Sequence, residues 1–248
     1  AGPGAGPEAG PEAGPAAQDT RLLAQGSPAW FRARASRLTG SNMATAVGLS
    51  PYATPHSYWE KVTGRLAGVE TSSASAATRH GNANEAVAVK AYERLTGHDV
   101  SETGLWLHPE ISWLAASPDG LVGDEGVLEV KCPVYKIHSE VPKHYMPQVQ
   151  AEMEMTGRAW CDFVSFHVTA ANVGDIAAAS NTARPHHIRV FRVARSPEYW
   201  RWLLARMKTF WACVHMDEDP RNLPELSIHG LSPPIVSVKL IHDETHQG

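Results

Sequence analysis

Residues 117–133 read SPDGLVGDEGVLEVKCP, and this segment limits the fold more than any other. Turn signals at Asp119-Gly120 and Asp124-Glu125-Gly126 bracket two runs of strand-forming residues, 120–122 and 127–131. Strand side chains alternate between faces. Val127, Glu129 and Lys131 therefore share one face, and Leu128 and Val130 share the other. The apolar face needs a cover, so the hairpin belongs in a sheet with other elements packed on it. The opposite face sets a carboxylate beside an ammonium. Asp119 lies just before the tight turn of the same hairpin, close enough to bring two carboxylates side by side.

The flanking periodicities supply that cover. Ser27-Pro28 reads as a capped helix start, and a short helix through Trp30 and Phe31 follows. Thr39-Gly40-Ser41 interrupts it, and a second short helix covers about 42–48. Pro55 opens a third, with Tyr58, Trp59 and Val62, ending at Gly64. Residues 66–77 are small and polar, the composition of an exposed loop. The strongest helical pattern is 79–96, stopped by Gly97. Strands are expected at about 99–107, 112–116, 120–122 and 127–131, then a helix over 143–156 ended by Gly157. Strands at 159–168 and 187–194 flank an unpatterned stretch, 170–185. A Trp-rich amphipathic helix covers 196–214. This order predicts an α/β sandwich around a mixed sheet.

Three regions follow from composition. Residues 1–26 form a leader, and 1–17, AGPGAGPEAGPEAGPAA, are too poor in apolar side chains to fold alone. Residues 27–216 are the globular domain. The tail, 217–248, is Pro-rich, with an edge strand as an option at 235–241. No run approaches the roughly 18 consecutive apolar residues of a membrane span, so no membrane role is expected. Cys132, Cys161 and Cys213 are odd in number and widely spaced. That excludes a disulfide framework and a structural zinc site, and it fits a reducing, intracellular compartment. Thirteen His carry no HExxH spacing, and His186 and His187 would point to opposite faces of a strand. The net charge of −4 is low for a DNA-binding chain. Clustered carboxylates lower the sum, and a bound cation restores local positive potential.

The hairpin carries the chemistry. Two adjacent carboxylates repel unless a proton or cation joins them. A hard divalent cation prefers such oxygen ligands, and a neighbouring Lys can orient a water or neutralise a phosphate. These are the requirements of phosphodiester hydrolysis. The E-x-K spacing alone also fits a surface ion pair on an exposed strand. Glu85 adds context: Ala88, Val89 and Tyr92 follow at three, four and seven positions, placing it on the buried stripe of helix 79–96. A first-turn Glu favoured by the helix dipole is the other reading. Gln150 borders an apolar stripe with Met146 and Met153, where a solvated helix edge is the alternative.

Pro118-Asp119 followed by Glu129-Val130-Lys131 resembles the PD-(D/E)xK nuclease signature. More narrowly, the chain resembles lambda-exonuclease-like, YqaJ-type viral recombinase nucleases. LTGS at 38–41, GNANE at 81–85, WLAASPDGLV at 113–122, GVLEVKCP at 126–133 and YMPQVQAEM at 145–153 carry the likeness, which covers about 28–214. The style of 113–133 and of RAWCDFVSF at 158–166 is similar to plant and algal members. The resemblance implies a restriction-endonuclease-like core, a central mixed β-sheet flanked by helices. It implies Mg²⁺ or Mn²⁺, as two ions, held by Asp119, Glu129, the Val130 carbonyl and Glu85. Lys131 would position or activate the water, and Gln150 would support the site. Arg34, with Ser41, matches a grip on a terminal 5′ phosphate, a role suited to guanidinium and hydroxyl groups; Arg32 and Arg37 are neighbouring alternatives.

The expected activity is that of a metal-dependent deoxyribonuclease, a 5′→3′ exonuclease on double-stranded DNA, in recombination, repair or DNA turnover. Its partners would be DNA and a recombinase or single-strand-binding protein, and the oligomer a ring-shaped homotrimer. An organelle, chloroplast or mitochondrion, is the compartment implied by plant-type members. A structure-specific or single-strand endonuclease, and a non-catalytic nucleic-acid-binding subunit, stay open beside it.

Overall fold

The computed structural model describes residues 19–65, 76–168, 186–223, 226 and 232–245. The expected low-complexity leader at 1–17 and the stretch 170–185 lie outside the described residues, as does most of the loop read at 66–77. The helices are α1 (Pro28–Arg34), α2 (Gly40–Ala46), α3 (Pro55–Val62), α4 (Ala76–Thr96), α5 (Met146–Thr156) and α6 (Pro197–Met216). The strands are β1 (Leu38–Thr39), β2 (Val100–Ser101), β3 (Trp106–Leu107), β4 (Leu114–Ala116), β5 (Gly120–Val122), β6 (Gly126–Lys131), β7 (Trp160–Val168), β8 (His186–Ala194) and β9 (Val238–Thr245).

Local chemistry sets the helix ends. Ser27 and Ser196 accept hydrogen bonds from the Trp30 and Tyr199 amides, and each is followed by Pro at the first helical position. Thr54 and Ser57 form a reciprocal capping box at α3. Gly157 ends α5 in the left-handed region at φ 72°, which glycine tolerates without strain.

Six strands form the main sheet in the order β2-β5-β6-β7-β8-β9. β6 and β7 run parallel and the other neighbours antiparallel, so the sheet is mixed. Both faces are covered. Leu128 and Val130 of β6 pack with Val87, Ala88, Ala91 and Tyr92 of α4. Val127, on the opposite face, packs with Val149 and Met153 of α5. Glu129 and Lys131 share that second face, so α5 roofs the carboxylate–ammonium pair rather than leaving it in water. A three-stranded sheet, β1-β4-β3, joins α2, α3 and α6 in a second core. The mixed α/β architecture, with central sheets flanked by helices, is the one expected.

Several boundaries differ from the sequence expectation. The single strand expected at 99–107 is two short strands in different sheets. Between them the Gly104 and Leu105 amides donate to the Arg21 and Thr20 carbonyls at 2.8 and 3.0 Å. A Cβ at Gly104 would run into the Leu23 carbonyl, so only glycine permits this approach. The end of the expected leader is thus fastened to the body, with Leu23 buried and Gln25 Nε2 donating to the Pro118 carbonyl at 2.8 Å. The expected tail likewise returns to the main sheet: β9 pairs antiparallel with β8 over Val238–Thr245, further along than the strand read at 235–241. The helix expected from 143 begins at Met146, because Lys143 to Tyr145 form a turn closed by the Tyr145 amide on the Pro142 carbonyl. All three cysteines are free.

Candidate active site

The β5–β6 hairpin brings Asp119 and Glu129 together. The Asp119 amide donates to the Leu128 carbonyl at 3.1 Å, extending the ladder by one residue past β5. The Asp119 carboxylate then takes over where strand pairing stops, its Oδ2 accepting from the Val130 amide at 2.7 Å. N–H and C=O of one strand residue leave on the same edge. The Val130 carbonyl therefore points to the same unpaired edge that Asp119 occupies.

Glu129 is 1% exposed. Its Oε1 accepts from Lys131 Nζ and from Gln148 Nε2, the latter at 2.7 Å. Its Oε2 is buried with no hydrogen-bond partner. An unmatched buried carboxylate oxygen is costly and marks a place where another donor or a cation belongs. Glu85 reaches the same cleft from α4, on the far side of the sheet. Burial raises the Asp119 carboxyl well above its usual range, and the charge of Glu129 raises it further. Burial and Glu129 also raise Glu85. Burial pulls the Lys131 ammonium down, but Glu129 and Asp119 outweigh it and hold it above its ordinary value. Lys131 is therefore a cation that offsets the carboxylates, its Nζ 5.0 Å from the Tyr145 ring centroid.

Among the described residues, no three His, Cys, Asp or Glu side chains make a ready metal cage. The oxygen-only donor set is incomplete: the Asp119 and Glu85 carboxylates, the unpaired Glu129 Oε2 and the strand-edge Val130 carbonyl, beside a cleft of about 1100 Å³. An open oxygen set that leaves positions for water and substrate fits Mg²⁺ or Mn²⁺.

A second group lines the same cleft. The Arg34 guanidinium lies 4.0 Å over the Trp30 ring and donates to Ser117 Oγ at 3.4 Å, Thr39 Oγ1 at 3.2 Å and Ser41 Oγ at 3.3 Å. Trp30 Nε1 donates to the same Ser117 hydroxyl at 3.1 Å. Among the described residues no carboxylate pairs with Arg34, and burial pulls its pKa below the usual arginine value. An arginine held by weak hydroxyl contacts is available for an oxyanion. The alternatives differ. Arg37 is engaged with the Ser112 and Ala33 carbonyls, and Arg32 does not line the cleft.

The structure thus brings Asp119, Glu129, Val130, Lys131, Glu85, Arg34 and Ser41 to one cleft. It corrects Gln150. That side chain is 1% exposed, donates to the Ala194 carbonyl at 2.8 Å and accepts from the Ser196 amide at 2.8 Å. It ties α5 to the β8–α6 junction, because its position on α5 turns it away from β6. Gln148, two residues earlier, occupies the site instead. Sequence reading also missed Ser117, Thr39 and Glu152. Ser117 directly precedes Pro118-Asp119, and Glu152 follows Gln148 by one helical turn; these spacings were the available signals.

A family model described as YqaJ-like viral recombinase domain matches residues 29–159, just over half of the 248-residue chain. The match runs from α1 to the edge of β7 and contains Arg34, Ser41, Glu85, Asp119, Glu129, Lys131 and Gln148. The uncharacterized protein YqaJ of Bacillus subtilis (strain 168) is 29% identical over 135 residues, which are 52% of this chain and 42% of that protein. The chain thus spans less than half the length of this curated relative. The alkaline exonuclease LHK-Exo of Laribacter hongkongensis shares 28% sequence identity in its crystal structure. The match covers 81% of this chain and all of that one, with a TM-score of 0.60. The same exonuclease in complex with dAMP matches at 27% identity, the same coverage and a TM-score of 0.60. These relatives are bacterial and lend no support to the closeness to plant and algal members expected from residues 113–133 and 158–166. The chain belongs to the YqaJ-like viral recombinase domain family.

Proposed function

We propose that this chain is a divalent-metal-dependent deoxyribonuclease that degrades double-stranded DNA from a 5′ end. The observation that carries the reading is the pairing, in one cleft, of an open carboxylate set at the end of β6 with a hydroxyl-lined arginine. The first suits hydrolysis of a phosphodiester and the second suits retention of a terminal phosphate. Likeness in fold to an alkaline exonuclease, a protein also crystallised with dAMP, supports the same class of substrate.

Mg²⁺ or Mn²⁺, as two ions, would be held by Asp119, Glu129, the Val130 carbonyl and Glu85, and when bound would polarise the phosphate and lower the pKa of a water. The residues supply the rest. Asp119 holds the edge of β6 through the Val130 amide, which keeps that carbonyl turned into the cleft. Lys131, protonated beside Glu129, orients the attacking water and offsets charge on the phosphate. Gln148 holds Glu129 through Oε1, leaving Oε2 free. Arg34, with Ser41, Thr39 and Ser117, would hold a 5′ phosphate and so fix which bond meets the site. A role in recombination or repair, with a recombinase or single-strand-binding partner, and a homotrimeric ring are part of the same reading.

The test is digestion of a 5′-labelled linear duplex and of a covalently closed circle in Mg²⁺, with a chelator control. Rapid loss of the linear duplex, an intact circle and no cleavage in chelator are expected. Equal cutting of the circle would favour an endonuclease. DNA binding without turnover in Mg²⁺ and in Mn²⁺ would favour a non-catalytic subunit.

A further inference from the structure

Glu152 is a third buried acid at the site, on α5, and no step above uses it. It is 0% exposed. Its Oε1 accepts from Gln148 Nε2 at 2.9 Å and its Oε2 is buried with no donor. Its carboxyl also stands within hydrogen-bonding reach of Glu129, and burial with that neighbour raises it well above the usual carboxylate range. The same Gln148 nitrogen donates to Glu129 Oε1 at 2.7 Å. One amide nitrogen carries two hydrogens. Gln148 thus spends one on each carboxylate and bridges them. Gln148 and Glu152 are one helical turn apart, so the acceptor is built into the helix that carries the amide. On its other flank, the Gln148 side chain lies against Gly40 of α2, where an added Cβ would stand 3.3 Å from its Cγ.

A glutamine amide can turn either its oxygen or its nitrogen toward a neighbour. Only the nitrogen is useful toward Glu129. Glu152 decides the matter, because its Oε1 accepts from that nitrogen on the other side. With Lys131 and Gln148 both on Oε1, Oε2 is left as the oxygen of Glu129 without a donor. We infer that Glu152 is a positioning residue that acts through Gln148, fixing the amide on Glu129 Oε1 so that Oε2 is kept without a protein donor, as the oxygen for a cation. This rests on the metal-site reading of the cleft given above.

The experiment measures Mn²⁺ binding to the full chain by electron paramagnetic resonance, without DNA or turnover. Outer partners of metal ligands typically change affinity by about 10- to 100-fold when removed. Glu152→Met should weaken Mn²⁺ binding by roughly tenfold or more on that scale. Glu152→Gln, which keeps an acceptor oxygen, should stay within about twofold, well below that range. In a Gln148→Ala background the Glu152→Met effect should be clearly smaller, because only the direct contact with Glu129 is left. Should Glu152→Met fail to fold, Glu152→Asp decides: one methylene shorter, it should bind Mn²⁺ several-fold more weakly. Unchanged affinity in the variants, a Glu152→Gln loss as large as that of Glu152→Met, or an undiminished Glu152→Met effect without Gln148 would overturn the inference. Wild-type protein that binds no Mn²⁺ would instead overturn the metal-site reading itself.

Discussion

Replacing Arg34 by Ala should abolish the preference for a 5′-phosphorylated end and leave the chemistry at the β6 edge in place. The guanidinium is stacked on Trp30 and touches three hydroxyls at 3.2–3.4 Å, long contacts that a dianionic phosphate readily replaces. It is already partly desolvated, so little further water must be stripped when a phosphate arrives. A hydrogen bond to a charged group contributes about 1.5–3 kcal/mol net. At about 1.4 kcal/mol per tenfold, the loss of one such contact is roughly 10- to 150-fold. The assay is kcat/KM on two linear duplexes that differ only in a 5′ phosphate or 5′ hydroxyl. Wild-type protein should favour the phosphate by that factor, and Arg34→Ala should treat both ends alike. Arg37→Ala is the control, since Arg37 is engaged with backbone carbonyls. Equal losses on both ends, or no wild-type preference, would refute the phosphate pocket.

Two further outcomes follow from contacts elsewhere. Tyr92→Phe removes the hydroxyl that donates to Asp162 Oδ2 at 2.8 Å inside the core, while Arg192 still holds that carboxylate at 2.8 Å; urea unfolding should show a loss of about 1.5–3 kcal/mol. His108 Nδ1 accepts from the Glu110 and Ile111 amides at 3.2 Å, and burial lowers its pKa against the opposing pull of Glu154 and Glu110. Below its unfolded pKa of about 6.5 the unfolded chain binds a proton that the folded chain resists. This contribution to stability is therefore present above that pH and is lost as pH falls through the lowered folded value. Between pH 7 and 5, Asn in place of His108 should flatten the fall in Tm, and an unchanged slope would contradict the assignment.

The parts of the site that follow chain-local periodicity were legible in the sequence. Alternation alone puts Glu129 and Lys131 on one face of β6, and helical spacing alone puts Glu85 on the buried stripe of α4. The turn at Asp119-Gly120 explains why that carboxylate reaches the strand edge. What was not legible depends on phase and on partners far along the chain. Gln148 and Gln150 lie on one helix, and which of them faces β6 is decided by how α5 docks against Gly40 on one side and Ala194 on the other. The split of residues 99–107 between two sheets depends on Gly104 meeting the carbonyls of residues 20, 21 and 23. Thr39 and Ser117 reach the same Arg34 guanidinium because β1 and β4 pair in parallel, with Thr39 opposite Ala115. No window of sequence contains that convergence on Arg34.

The central claim is that Asp119, Glu129 and Lys131 form a phosphodiesterase site, and single-turnover cleavage of a linear duplex in Mg²⁺ tests it most directly. Lys131→Ala should fold and bind DNA yet cleave it slower by about 10²–10⁴, the range for loss of a group that handles a proton in the transition state. Cleavage by Lys131→Ala at the wild-type rate would contradict the account.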